Sequence, residues 1–131
     1  KIQIINYTLN NNRIYINEFI NLDLVWNVGI GFGLFSTNST IFYNSLTAII
    51  GGVIIFLIYL IIKSTLIDKI FFSIILGGAL GNFYDRIMYF AVPDFIDIHF
   101  KNFHWFTFNF ADVFISIGVI SLIVKDIIIK K

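Results

Sequence analysis

The chain has 131 residues, is 58% hydrophobic and only 13% charged, and carries a formal net charge of +1. Its mean hydropathy is +0.88, and soluble domains carry about 25% charged residues, so the composition is that of a membrane protein. With no Cys, disulfides, thiolate catalysis and Cys-ligated metals are excluded, and one Pro with nine Gly argues against disorder.

Residues 1–40 are interrupted too often by Asn, Arg13, Glu18 and Asp23 to be a membrane span. Asn10-Asn11-Asn12 is a turn signal. Ile14-Tyr15-Ile16 and Leu22-Asp23-Leu24-Val25-Trp26 are short, rich in β-branched and aromatic residues and partly alternating. They read as extended strands. In the stretch from Asn27 to Gly33, glycines stand at alternate positions, 29, 31 and 33. Backbone without Cβ atoms lets another helix or a bound ligand come close.

The first span is expected at about 41–62, since about 20 residues of helix cross a hydrocarbon layer of ~30 Å. A polar turn with Lys63, Ser64, Asp68 and Lys69 follows, then a second span over about 70–86. Gly77, Gly78 and Gly81 lie along one side of that helix and favour a close neighbour. Residues 87–110 are aromatic, mixed and interrupted by Pro93, and read as an interfacial loop. The third span covers about 111–125, before Lys125, Asp126, Lys130 and Lys131. The whole chain reads as a single membrane-embedded domain, of the all-α membrane class. Lys63, Lys69, Lys125, Lys130 and Lys131 share one side, which should be cytoplasmic. Most of the acids, including Asp85, Asp94, Asp97 and Asp112, then face outward. An exported amino-terminal segment without a signal pattern implies a further span ahead of Lys1.

Asp94 in the loop and Asp112 at the start of the third span are near enough in sequence to meet. Two carboxylates in contact share a proton, so one can activate water while the other protonates a substrate. The simpler alternative is that Asp112 favours its helix dipole and Asp94 is a loop acid. Asp85-Arg86 reads either as an interfacial ion pair with a snorkelling arginine or as a device fixing helix ends. Asn27, Asn82 and Asn109 fall at segment ends, as caps or as holders of a bound peptide. His99 and His104 lie near Asp97, but with no Glu or Cys beside them they read as partly solvated loop histidines and not as a metal site. Trp26, Trp105 and the Phe residues suit an interfacial belt, or a groove for an acyl chain. A proton or ion carrier is the competing reading. It would place acids near the midplane, whereas Leu46–Ile62 and Ile70–Tyr84 are free of charge.

The segment Gly77-Gly78-Ala79-Leu80-Gly81-Asn82-Phe83-Tyr84-Asp85-Arg86-Ile87 resembles the signature of bacterial lipoprotein signal peptidase (signal peptidase II). Val92-Pro93-Asp94-Phe95, Phe108-Asn109-Phe110-Ala111-Asp112 and Asn27-Val28-Gly29-Ile30-Gly31-Phe32 extend the resemblance over almost the whole chain. It implies a membrane aspartic endopeptidase that cuts prolipoproteins before a diacylglyceryl-modified cysteine. It implies Asp94 and Asp112 as the catalytic pair. Asn27, Gly29, Asn82, Asp85, Arg86 and Asn109 match positions that bind substrate or shape the site. The implied fold is a bundle of transmembrane helices, three in this chain and four in the family, with a small extracytoplasmic β-cradle. The implied place is the bacterial inner membrane, with the site at its outer face. No metal or other cofactor and no nucleic acid is expected. The expected partners are lipid-modified prolipoproteins, membrane lipids and globomycin-type inhibitors. Only Lys1 matches the Asp-Gln-x-x-Lys pattern that ends the family's first helix. Phe90 stands where Gly is usual, and Pro93 where Val is usual.

Overall fold

The structure is a computed structural model and describes residues 1–10, 13–29 and 40–129. The expected turn at Asn11-Asn12 and the glycines at 31 and 33 lie outside the described residues. The chain runs α1 (Ile2–Asn10), β1 (Ile14–Tyr15), β2 (Ile20–Asn27), α2 (Thr40–Lys63), α3 (Leu66–Tyr89), β3 (Val92–Phe100), β4 (Phe103–Phe108) and α4 (Phe110–Ile129). The chain divides into two compact units. One holds Lys1–Tyr43 and Asp85–Asn109, the other Asn44–Tyr84 and Phe110–Lys131.

The first unit is built on an antiparallel sheet in the order β1-β2-β3-β4. β1 and β2 fall on the two stretches read as strands, but residues 92–108 correct the sequence reading. They form the β3–β4 hairpin, not a loop. Asp94 is therefore a strand residue. Pro93 hides the strand from a sequence reader, because Pro cannot donate to a ladder. β4 pairs with β3 only from Ile96 to Phe100, so at Pro93 the strand has β2 alone beside it. A strand edge tolerates the missing N–H. The hairpin turns at Lys101, whose φ is 56°. Helix α1 is a second correction, since nothing in the sequence reading anticipates it. Ile5 is buried, while Ile2 and Tyr7 stay exposed.

α2 and α3 each have 24 residues and are long and apolar enough to cross a membrane. That length is about 36 Å of helix. Ile41, Ile49, Ile55, Phe56 and Ile62 on α2 are all exposed, as on a helix that is apolar all round and faces lipid. α4 has 20 residues, with Asp112 in its first turn and Lys125 and Asp126 near its end. In the second unit, Asp68 in the first turn of α3 accepts from Thr65 Oγ1 at 2.9 Å and pairs with Lys125. α3 and α4 meet closely at two glycines. A Cβ on Gly78 would lie 2.5 Å from the Ala111 carbonyl oxygen and 2.8 Å from Ile115 Cγ1, and one on Gly118 would meet Ile75.

α3 ends on the Phe90 N–H, which donates to the Arg86 carbonyl at 3.1 Å. Phe90 has φ 54°. This is the left-handed helix stop that glycine fills at no steric cost. It gives the Gly-to-Phe departure at Phe90 a physical meaning: a bulky residue holds a backbone shape that costs it roughly 1–2 kcal/mol.

Candidate active site

In the first unit the motif residues join into one hydrogen-bonded chain. Asp94 on β3 is 2% exposed, and Asn109 is fully buried. Asn27, the last residue of β2, donates Nδ2 to Asp94 Oδ2 at 2.9 Å. Asn109, after β4, donates Nδ2 to Asp94 Oδ1 at 2.6 Å. Each carboxylate oxygen thus receives an amide N–H, and such charge-assisted bonds are stronger than neutral ones. Asn27 Oδ1 in turn accepts from the Gly29 N–H at 2.8 Å. Arg86 continues the chain by donating NH2 to the Gly29 carbonyl.

Arg86 is 4% exposed. Its guanidinium sits 5.8 Å from the Tyr43 ring centroid, and the Tyr43 hydroxyl donates to the Arg86 carbonyl at 2.9 Å. Arg86 NH1 is buried with no hydrogen-bond partner among the described residues. The ion-pair and snorkelling readings of Asp85-Arg86 are therefore corrected. Asp85, 4% exposed, pairs with Lys1 at 2.5 Å. Arg86 is turned inward onto backbone. Tyr43 was missed from the sequence because it looks like any aromatic at the mouth of a span. Lys1 was legible only through its match to the family's Lys.

In the second unit, Asn82 on α3 donates Nδ2 to Asp112 Oδ1 at 2.7 Å. Asp112 occupies the first turn of α4, where negative charge suits the helix dipole. The close approach at Gly78 brings the backbone of Ala111, the neighbour of Asp112, against α3. Both candidate aspartates are thus gripped by asparagines that the motifs contain. Asn82 serves Asp112, and Asn27 with Asn109 serve Asp94.

A family model described as "Signal peptidase (SPase) II" matches residues 1–128. The chain belongs to the signal peptidase II family. A "Lipoprotein signal peptidase" of Pelagibacter ubique (strain HTCC1062) is 57% identical over 114 residues, covering 87% of this chain and 69% of that protein. One from Francisella tularensis subsp. novicida (strain U112) is 45% identical over 123 residues, covering 88% and 74%. A solved "bacterial membrane enzyme" is 31% identical, with a TM-score of 0.71 over 95% of this chain and 79% of its own. A second is 30% identical, with a TM-score of 0.68 over 94% and 83%. As a signal peptidase II the chain is a membrane protease. Its helices and four-stranded antiparallel sheet are set within that family's fold.

Proposed function

We propose that this chain removes signal peptides from diacylglyceryl-modified prolipoproteins, cutting before the lipidated cysteine, as an aspartic endopeptidase whose catalytic pair is Asp94 and Asp112. The observation that carries the reading is the grip on the two carboxylates by the asparagines of the same motifs. A catalytic acid must be held to within about half an ångström to work. Amide donors fix it without adding a charge of their own.

The chemistry follows from two carboxyl groups that share one proton. The ionised member takes a proton from water as the water oxygen attacks the scissile carbonyl carbon. The protonated member gives its proton to the carbonyl oxygen, so the tetrahedral intermediate is a neutral gem-diol. A proton then passes from the first carboxyl to the amide nitrogen. The C–N bond breaks, one hydroxyl proton returns to the second carboxylate, and an acid and an amine leave. Water supplies every added atom, and the pair ends in its starting protonation state. Asn27, Gly29, Asn82, Asp85, Arg86 and Asn109 act as substrate-binding and site-shaping residues.

The lysine distribution supports a multi-pass topology of three spans in this chain, in the bacterial inner membrane, with the site at the extracytoplasmic face. The sheet then serves as the family's β-cradle. Lipid-modified prolipoproteins and membrane lipids are the partners, and globomycin-type peptides the inhibitors. The test is incubation of the detergent-solubilised protein with a diacylglyceryl-modified precursor peptide. Cleavage before the modified cysteine that globomycin suppresses is expected. Cleavage elsewhere, or equal cleavage of the unlipidated peptide, would refute the reading.

A further inference from the structure

Asp97 and His99 are two residues apart on β3, so their side chains leave the same face of the strand. His104 comes from β4, in register with His99. One ligand atom from each of the three lies within 4.8 Å of the others. Asp97 Oδ2 is 2.7 Å from His104 Nδ1 and 3.9 Å from His99 Nδ1. A tetrahedral cation with ligands at about 2.0–2.1 Å holds neighbouring donors ~3.3 Å apart. The two distances fall on either side of that value, so small side-chain rotations suffice. The imidazoles already stack, with centroids 5.3 Å apart and planes at 24°.

Among the described residues two buried polar atoms here lack a partner, and one of them faces the cluster. His99 is 7% exposed and its Nδ1, facing Asp97, has no hydrogen-bond partner among the described residues. Asn21 is 3% exposed and its Oδ1 has none either. Asn21 Nδ2 lies 3.4 Å from His99 Nε2. Exchanging the amide's oxygen and nitrogen lets Oδ1 accept a hydrogen bond from Nε2–H, with the amide nitrogen taking the oxygen's present place. The Nδ1 lone pair is then directed at Asp97. Metal-bound histidines almost always donate their second ring N–H to a carboxylate, a backbone carbonyl or water, and the Asn21 amide oxygen would stand in for these. A purely structural histidine–carboxylate couple explains His104 but leaves His99 Nδ1 unused.

We propose that Asp97, His99 and His104 bind a divalent transition-metal ion of the zinc class, clipping β3 to β4. The donors are Asp97 Oδ2 and the Nδ1 atoms of both histidines. Water completes the shell on the side of His104, whose side chain is 39% exposed. The proton between His104 Nδ1 and Asp97 leaves to solvent as the ion enters. Arg13 NH2 stands 3.7 Å from Asp97 Oδ2. It is held by Asp23 at 2.9 Å on the exposed side. This site takes no part in peptide cleavage and stands whether or not the peptidase reading holds.

The test uses the full chain in detergent, without a polyhistidine tag, and Zn2+ alone. One zinc per chain should remain after desalting, and Mg2+ should not displace it. His99→Ala and His104→Asn should each weaken binding at least tenfold, while Asn21→Asp should tighten it by about tenfold through a stronger acceptor for the ring N–H. Melting without metal checks that each variant folds. If His99→Ala does not fold, the more exposed His104→Asn decides alone. No stoichiometric zinc on the wild-type chain, or undiminished binding in His104→Asn, overturns the proposal.

Discussion

Asn109→Leu tests the grip on Asp94 without touching either carboxylate. The side chain is fully buried, and leucine keeps its branching at Cγ while removing the N–H that reaches Asp94 Oδ1 at 2.6 Å. A hydrogen bond to a charged group contributes about 1.5–3 kcal/mol. If that bond is kept through the reaction to hold the carboxylate, its loss appears in kcat/KM as a fall of ~10- to 150-fold. Asn27 still donates to Oδ2, so the carboxylate remains in place and activity does not vanish. Asn27→Leu should cost more, because it also releases the Gly29 N–H. The assay is initial rate on a lipidated precursor in detergent, with thermal unfolding as the check on folding. A folded Asn109→Leu enzyme within threefold of wild type would refute the idea that these amides hold a catalytic carboxylate.

Arg86→Lys keeps the charge but loses the planar guanidinium over Tyr43 and its reach to the Gly29 carbonyl; turnover should drop, by less than in a variant of Asp94. Asn82→Ala removes the 2.7 Å donor to Asp112, and precursor cleavage should fall at least tenfold while the melting temperature shifts little. Gly78→Ala should lower the melting temperature, because its methyl collides with the Ala111 carbonyl and Ile115; overpacking typically costs about 1–3 kcal/mol. Gly77→Ala is the control: nothing among the described residues lies within 4 Å of its added Cβ, so helix preference alone should leave stability equal or slightly higher.

The long helices α2, α3 and α4 were legible because their signal is long and uninterrupted, whereas the short α1 was not. α2 matches the expected span almost to the residue, and α3 extends a turn beyond each expected end, across polar residues that a hydropathy reading trims. The sheet was half legible. β2 announces itself by alternation, but β3 has a proline as its second residue and mixes Asp97 and His99 among apolar residues. Local pattern therefore reads as loop where long-range pairing makes a strand. Asp94, Asn27 and Asn109 stand out in the sequence as polar residues inside recurring motifs. Their mutual contacts do not, since Asn27 and Asp94 are 67 residues apart and meet only through β2–β3 register. Asp85 misled for a related reason. Its neighbour in sequence is Arg86, yet its partner in space is Lys1, 84 residues away.

The central claim is that two carboxyl groups, those of Asp94 and Asp112, jointly hydrolyse the peptide bond. Single-turnover cleavage of a lipidated precursor by folded Asp94→Asn and Asp112→Asn variants measures it most directly. Each change is nearly isosteric and removes only the ability to exchange a proton. The account predicts that both variants bind the precursor and neither yields product. Substantial turnover by either one would contradict it.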